Sequence, residues 1–143
     1  MLSSLGQAAI NSWETLGVFD AEQIDRLNKV EFQLADLPGD QLGEAVDGLV
    51  TLDLDGAGLG WFVDSTPAEH SEFSVLTAHH ALWAAEDSPA YGKVDLLTVV
   101  SHEFGHVLGL SHPEEDNEHE LLMEATLLPG LRRLPTAEDI TAV

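Results

Sequence analysis

The sequence predicts an α/β domain in which helices back several short strands. Residues Leu5 to Leu16 place apolar side chains at intervals of three and four positions, which is the stripe of an amphipathic helix. Segments 30–34 and 50–54 instead alternate apolar and polar residues, as strands with one buried face do. A further apolar helical stripe runs from Asp95 to Gly109. The change of period along the chain therefore indicates a mixed fold.

Length and charge exclude several classes of protein. The chain has 143 residues with 26 acidic and 5 basic side chains, which gives a formal charge of −21. This length suits one domain with its own core, so we assign residues 1–143 to a single domain. The lack of cysteine excludes disulfides and thiolate metal sites. The charge predicts no nucleic-acid partner, and the short apolar runs predict no membrane insertion.

The remaining elements are predicted from local signals. Asp20 is a good N-cap for a second helix. The glycine-rich segment 55–60 leads into a short strand, and residues 113–120 form an acidic loop. We further expect a strand at 73–76, a short helical piece at 78–85 and a capped helix starting at 135–139. Because the chain ends soon afterwards, we interpret it as an excised domain or the last helix as truncated.

One segment has the pattern of a metal site. On a helix, His102 and His106 lie four positions apart and therefore share one face, with Glu103 beside them. Gly109 allows the helix to end and the chain to turn back, which brings His112 towards the same metal. Catalytic zinc takes three protein ligands and keeps one position for water. The sequence thus predicts one catalytic Zn²⁺ on the three histidines, with Glu103 as general base.

These five residues match the zinc signature of the metzincin metalloproteases. Downstream, Leu122-Met123-Glu124 resembles their Met-turn, whose methionine lies beneath the metal. The segment 94–107 is most similar to the matrixin branch. The resemblance implies a small twisted mixed sheet with a backing helix and an active-site helix. It also implies two subdomains, an N-terminal one over about 1–112 and a C-terminal one over about 113–143.

The resemblance also implies an activity, which is zinc-dependent endopeptidase cleavage of a peptide or protein substrate. In such enzymes an edge strand pairs with the extended substrate, and the candidate here comprises Gly60, Trp61, Phe62 and Val63. It further implies an extracellular or cell-surface location, with the domain a monomer or part of a larger multidomain chain. No signal peptide is visible, because the first residues lack a basic stretch followed by a continuous apolar run.

Several alternatives stay open at this level. Glu124 could replace His112 as the third ligand, as in gluzincins, although the Gly109 arrangement disfavours it. Trp61 and Phe62 could simply be core residues. The domain could also be a catalytically silent, zinc-containing binding or structural module of a larger surface protein. Two weaker signals remain. Residues 53–58 resemble part of a Ca²⁺ loop, although a hairpin turn is the favoured interpretation, and histidines 70, 79 and 80 could bind a second zinc ion.

Overall fold

The computed structural model describes residues 2–77, 81–113 and 121–141. The helices in these ranges are α1 (Leu2–Thr15), α2 (Ala21–Asn28), α3 (Leu96–Val107) and α4 (Ala137–Thr141). The strands are β1 (Glu31–Ala35), β2 (Gly43–Val46), β3 (Leu49–Asp53), β4 (Trp61–Phe62), β5 (Phe73–Leu76), β6 (Leu82–Ala84), β7 (Val94–Asp95) and β8 (Leu131–Arg132). The predicted α/β class is therefore confirmed.

The strands form three small sheets. The first has the order β1-β3-β2, with β1 parallel and β2 antiparallel to the central strand β3, so that β2 lies at an edge. β4 pairs with β7 in parallel, and β5, β6 and β8 form an antiparallel sheet. The sheet that contains β2 is the one that borders the predicted metal site.

One sequence prediction needs correction, and one strand was not predicted. The helical piece expected at 78–85 is wrong where the structure describes it, because residues 82–84 form strand β6. Hydrogen bonding to β5 on one side and β8 on the other outweighs local helix preference there. Residues 78–80 lie outside the described residues. The second difference is β2, which the sequence did not reveal, since its four residues include a glycine and only two apolar side chains.

The core is built between α1 and α3. Trp13 of α1 is fully buried, and its indole Nε1 donates a hydrogen bond of 2.9 Å to the carbonyl oxygen of Ser101. Every residue from 96 to 105 of α3 is buried. Because Thr98, Val99 and Val100 are poor helix formers, tertiary packing on all sides stabilises this helix.

A buried ionic group fixes the start of α3. We call it the Arg132 cluster, and it comprises Asp64, His70, Asp95, Thr98 and Arg132. The guanidinium donates from Nε at 2.8 Å and from Nη2 at 2.9 Å to the two carboxylate oxygens of Asp95, and its Nη1 lies 3.1 Å from Asp64. Thr98 donates to Asp95 at 2.7 Å, and Arg132 donates to Nδ1 of His70 at 3.0 Å. The cluster thereby connects β7, α3 and β8.

In the described ranges, no helix combines the length and apolar character needed to cross a bilayer.

Candidate metal centre

Three histidine side chains converge at the C-terminal end of α3. The Nε2 atoms of His102, His106 and His112 lie 3.2 Å from one another in all three pairings. Ligands at zinc–nitrogen distances of 2.0–2.1 Å in tetrahedral geometry are about 3.3 Å apart, so the donor set fits a single metal ion. It is also the only group of three or more potential metal ligands within the described ranges.

Backbone carbonyls orient two of the rings. Nδ1 of His102 donates to the carbonyl oxygen of Leu122 at 2.7 Å, and Nδ1 of His106 donates to that of Leu110 at 2.8 Å. With the proton on Nδ1, each Nε2 carries a lone pair, which is the tautomer that a metal ligand requires. Burial lowers the pKa of His102 to about 3 and also lowers that of His112, which favours the neutral form of these two rings.

The glycine that ends the helix brings the third histidine into place. Gly109 has a φ of +99°, which glycine adopts without steric penalty. Its N–H donates to the carbonyl of His106 at 3.0 Å, and the N–H of Leu110 donates to that of Gly105 at 2.9 Å. These two bonds form a Schellman motif, which reverses the chain and places His112 opposite the helix.

A second glycine in the same helix was missed by sequence reasoning. Gly105 has no side chain because Met123 packs against it, and a Cβ at this position would overlap the methionine sulfur. Met123 is fully buried, and its N–H donates to Oδ1 of Asp139 in α4 at 2.8 Å. A glycine in the middle of an apolar, otherwise regular helix was the signal that could have revealed this contact.

Glu103 faces the cleft beside the histidines and is only 5% exposed. No hydrogen bond joins its carboxylate to any other residue of the described part of the chain. Burial raises its pKa to about 7, and the nearby carboxylate of Glu44 adds to the increase. A Cβ on Gly43 would lie 3.2 Å from Oε2 of Glu103, so β2 passes directly across this side chain.

The cleft in front of these residues has a volume of about 970 Å³. One wall is the segment 40–46, which includes β2, and the opposite wall is formed by 124–127 and Arg133. The Arg133 guanidinium holds that second wall, since it donates to the carbonyls of Thr126 at 2.9 Å and Glu124 at 3.1 Å. The Glu124 carboxylate lies 4.0 Å from the same guanidinium and is not in the metal-binding group.

The strand suggested for substrate pairing lies elsewhere. Trp61 and Phe62 pair with β7, and the indole N–H of Trp61 donates to the carbonyl of Asp53 at 2.9 Å. No residue from Gly60 to Val63 lines the cleft. The edge strand that does line it is β2.

The weaker metal signals gain no support from the geometry. The carboxylate of Asp53 accepts the N–H groups of Leu37 and Ala57, both at 2.8 Å, and that of Asp55 accepts the N–H of Gly58 at 3.0 Å. Both acids thus act as turn acceptors, and Ca²⁺ binding there stays a prediction. His70 belongs to the Arg132 cluster, while His79 and His80 lie outside the described residues.

The fold and site together define a mixed α/β domain with a three-histidine metal-binding group beside a cleft. A comparison with protein-family models matches residues 23–140 to the matrixin model. The chain belongs to the matrixin family, a family of zinc metalloproteases, which confirms the resemblance inferred from its motifs. Comparisons with curated proteins and with solved structures gave no match.

Proposed function

We propose that this domain is a zinc-dependent endopeptidase. The observation that carries the proposal is the arrangement of three equidistant Nε2 atoms next to the buried carboxylate of Glu103, all opening into one cleft. Three imidazole nitrogens that converge on one point at metal-ligand spacing, with no hydrogen-bond donor of the described residues between them, are the arrangement that a metal ion requires and that packing alone does not. A metal ion and a peptide substrate account for them.

His102, His106 and His112 would hold the zinc ion. When bound by three neutral ligands, zinc lowers the pKa of a water molecule and polarises a carbonyl group. Glu103 accepts the proton of the attacking water and returns it to the leaving amine. Its position beside the three histidines, at the open cleft, supports both roles.

The neighbouring residues hold this site in shape. The carbonyls of Leu122 and Leu110 fix two imidazole rings, and Met123 supports α3 where Gly105 leaves room for it. Asp139 fixes the backbone of Met123 and so connects α4 to the metal centre. This arrangement supports the interpretation of 122–124 as a Met-turn.

The substrate is an extended peptide that pairs with β2 instead of with the segment 60–63. β2 bonds to β3 along one side, and in the described part of the fold no strand pairs with its other side. An added strand along that edge would run between β2 and the histidines. Backbone pairing supplies affinity for many different substrate sequences. The wall at 124–127 contacts the substrate side chain that follows the cleaved bond.

The biological setting follows from the family alone. We propose an extracellular or cell-surface protease domain, present as a monomer or within a larger multidomain chain, with peptides or proteins as its substrates.

The test is mass-spectrometric mapping of cleavage products from a diverse peptide library. The zinc-loaded protein is compared with Glu103→Ala, which keeps all three histidines. We expect internal cleavage products from the native chain and a loss of about 10²- to 10⁴-fold in the variant. If neither protein produced fragments while each bound one zinc ion per chain, the silent binding module would replace this proposal.

A further inference from the structure

The cleft is negatively charged despite containing an arginine. Asp40 and Glu44 are exposed on the wall formed by 40–46, and Glu103 lies between that wall and the histidines. Arg133 is only 2% exposed and donates to the opposite wall's own backbone, 4.0 Å from the Glu124 carboxylate. The Arg133 charge is therefore neutralised within the protein, so that apart from the proposed zinc ion the exposed charges on the cleft wall are the carboxylates of Asp40 and Glu44.

Glu44 is the acid with the best-defined position. It is the second residue of β2, it is exposed, and it pairs with Thr51 across the sheet. Its neighbour Gly43 faces α3, because a Cβ there would meet Val99 and Glu103 at 3.2 Å. Side chains alternate along a strand, so Glu44 projects from the opposite face of β2. Its charge is nonetheless close enough to Glu103 to raise the pKa of that residue.

We propose that Glu44 determines specificity by selecting a lysine or arginine in the segment of substrate that pairs with β2. This inference rests on the proposed endopeptidase function and adds the class of substrate. In an antiparallel pair, directly opposed residues have Cβ atoms about 4.5–5.5 Å apart, within reach of a salt bridge between a glutamate and a lysine. Asp40, earlier on the same wall, strengthens the negative field near that position.

The charge of the whole molecule acts in the same direction. A formal charge of −21 attracts cationic peptides from a distance and repels anionic ones, and salt screens this effect. The adjoining cavity beyond His106 differs, since Arg26 and Lys29 are balanced there by Glu31 and Asp47. That cavity therefore adds no local preference, and the position-dependent part of the selection is expected near Glu44.

The experiment is a charge scan through one peptide. A cleaved, uncharged sequence from the library is resynthesised with a single lysine, or a single glutamate, at each of the three positions on either side of the cleaved bond. Values of kcat/KM are measured for the zinc-loaded native protein, for Glu44→Gln and for Glu86→Gln. Glu86 is an exposed loop acid outside the cleft lining, so its variant is a control with the same change in net charge.

We expect lysine to raise kcat/KM over glutamate by about fivefold at one position, or at two positions that are two residues apart and so share a strand face, beyond the general preference that the net charge gives at every position. Glu44→Gln abolishes the difference there, whereas Glu86→Gln retains it, and added salt reduces it in the native protein. Equal cleavage of lysine and glutamate peptides by the native protein would overturn this assignment while leaving the endopeptidase intact. A preference that survives unchanged in Glu44→Gln would overturn the role of Glu44. Cleavage of no peptide would remove the proposed function itself.

Discussion

The two ends of α3 both bury polar side chains, but they treat them differently. At the N-terminal end, both carboxylate oxygens of Asp95 accept hydrogen bonds from Arg132, and Thr98 donates a further one. At the C-terminal end, the Nε2 atoms of three histidines converge on one point, and Glu103 has no hydrogen-bond partner in the described residues. The polar groups at the N-terminal end are satisfied by partners within the protein, whereas those at the C-terminal end face the cleft.

This difference separates structural polar groups from functional ones. Buried charges are tolerated where partners inside the fold satisfy them, and removing one partner leaves the other uncompensated. Polar atoms that converge at an open cleft are instead accessible to a ligand. Substitutions at the Arg132 cluster should therefore reduce stability, and substitutions at the metal centre should reduce metal binding while the fold persists.

The largest effect is expected from Arg132→Met. This change leaves the carboxylates of Asp64 and Asp95 buried without their cation, which costs about 3–5 kcal/mol of unfolding free energy. For a chain of this size, that lowers the melting temperature by about 10 °C or more, as calorimetry would measure.

Lys29→Met is the matched control for that experiment. It removes the cation of an ion pair with Asp25 whose side chains are 77% and 57% exposed, so the change should stay below about 1 kcal/mol. Equal losses in the two variants would show that the Arg132 cluster is no more structural than a surface pair.

The next effect concerns the open end of the helix. His112→Ala removes one of the three metal ligands, and we expect zinc affinity to fall by at least about 100-fold. His112 is exposed, so circular dichroism of the metal-free protein should match the native chain. Competition with a chromogenic chelator measures the affinity. Native-like affinity in this variant would require a different third ligand, with Glu124 as the first residue to test.

A smaller loss of stability is expected where Met123 packs against Gly105 of α3. Gly105→Ala forces Met123 or α3 to move, because the added methyl group overlaps the methionine sulfur, and should cost about 1–3 kcal/mol. Gly6→Ala in α1 is the control, since no atom lies within 4 Å of its added Cβ and alanine is the better helix former. Chemical denaturation compares the two, and destabilisation by Gly6→Ala of similar size would show that the Met123 contact is not the cause.

The sequence predicted the metal centre better than its surroundings, for a physical reason. His102, His106, Gly109 and His112 lie within eleven consecutive residues, and helix geometry together with the chain reversal at Gly109 converts their spacing into a common point. Helices α1 and α2 were likewise predicted from local periodicity and from the cap at Asp20, whose side chain accepts the N–H of Gln23 at 2.8 Å. Each of these features depends only on residues that are close in the chain.

What the sequence did not reveal depends on long-range contacts. Asp95 and Arg132 are 37 positions apart, and nothing near either residue indicates that they pair. Strand β2 is too short and too polar to be recognised without its partner β3. The substrate-pairing strand was consequently predicted at the more apolar segment 60–63, which pairs with β7 and does not line the cleft.

The smallest expected effect is a pH dependence of stability at the N-terminal end of α3, where His70 contacts Arg132. Burial lowers the pKa of His70, and the adjacent charge of Arg132 lowers it further, although Asp64, Asp95 and Glu72 oppose this. The unfolded chain therefore binds the proton more readily than the folded chain. The stabilising contribution of neutral His70 is fully present above pH 6.5, its ordinary pKa, and is lost as the pH falls below that value.

His70→Gln keeps an acceptor for Arg132 but cannot titrate. Urea denaturation of metal-free protein at pH 7.5 and 5.5 should therefore show a smaller loss of unfolding free energy in the variant than in the native chain. The metal-centre histidines are the same in both proteins, so their contribution cancels in the comparison. An identical pH dependence would mean that the folded protein tolerates protonated His70 beside Arg132. The Arg132 cluster would then exclude an added positive charge less strongly than its hydrogen bonds indicate.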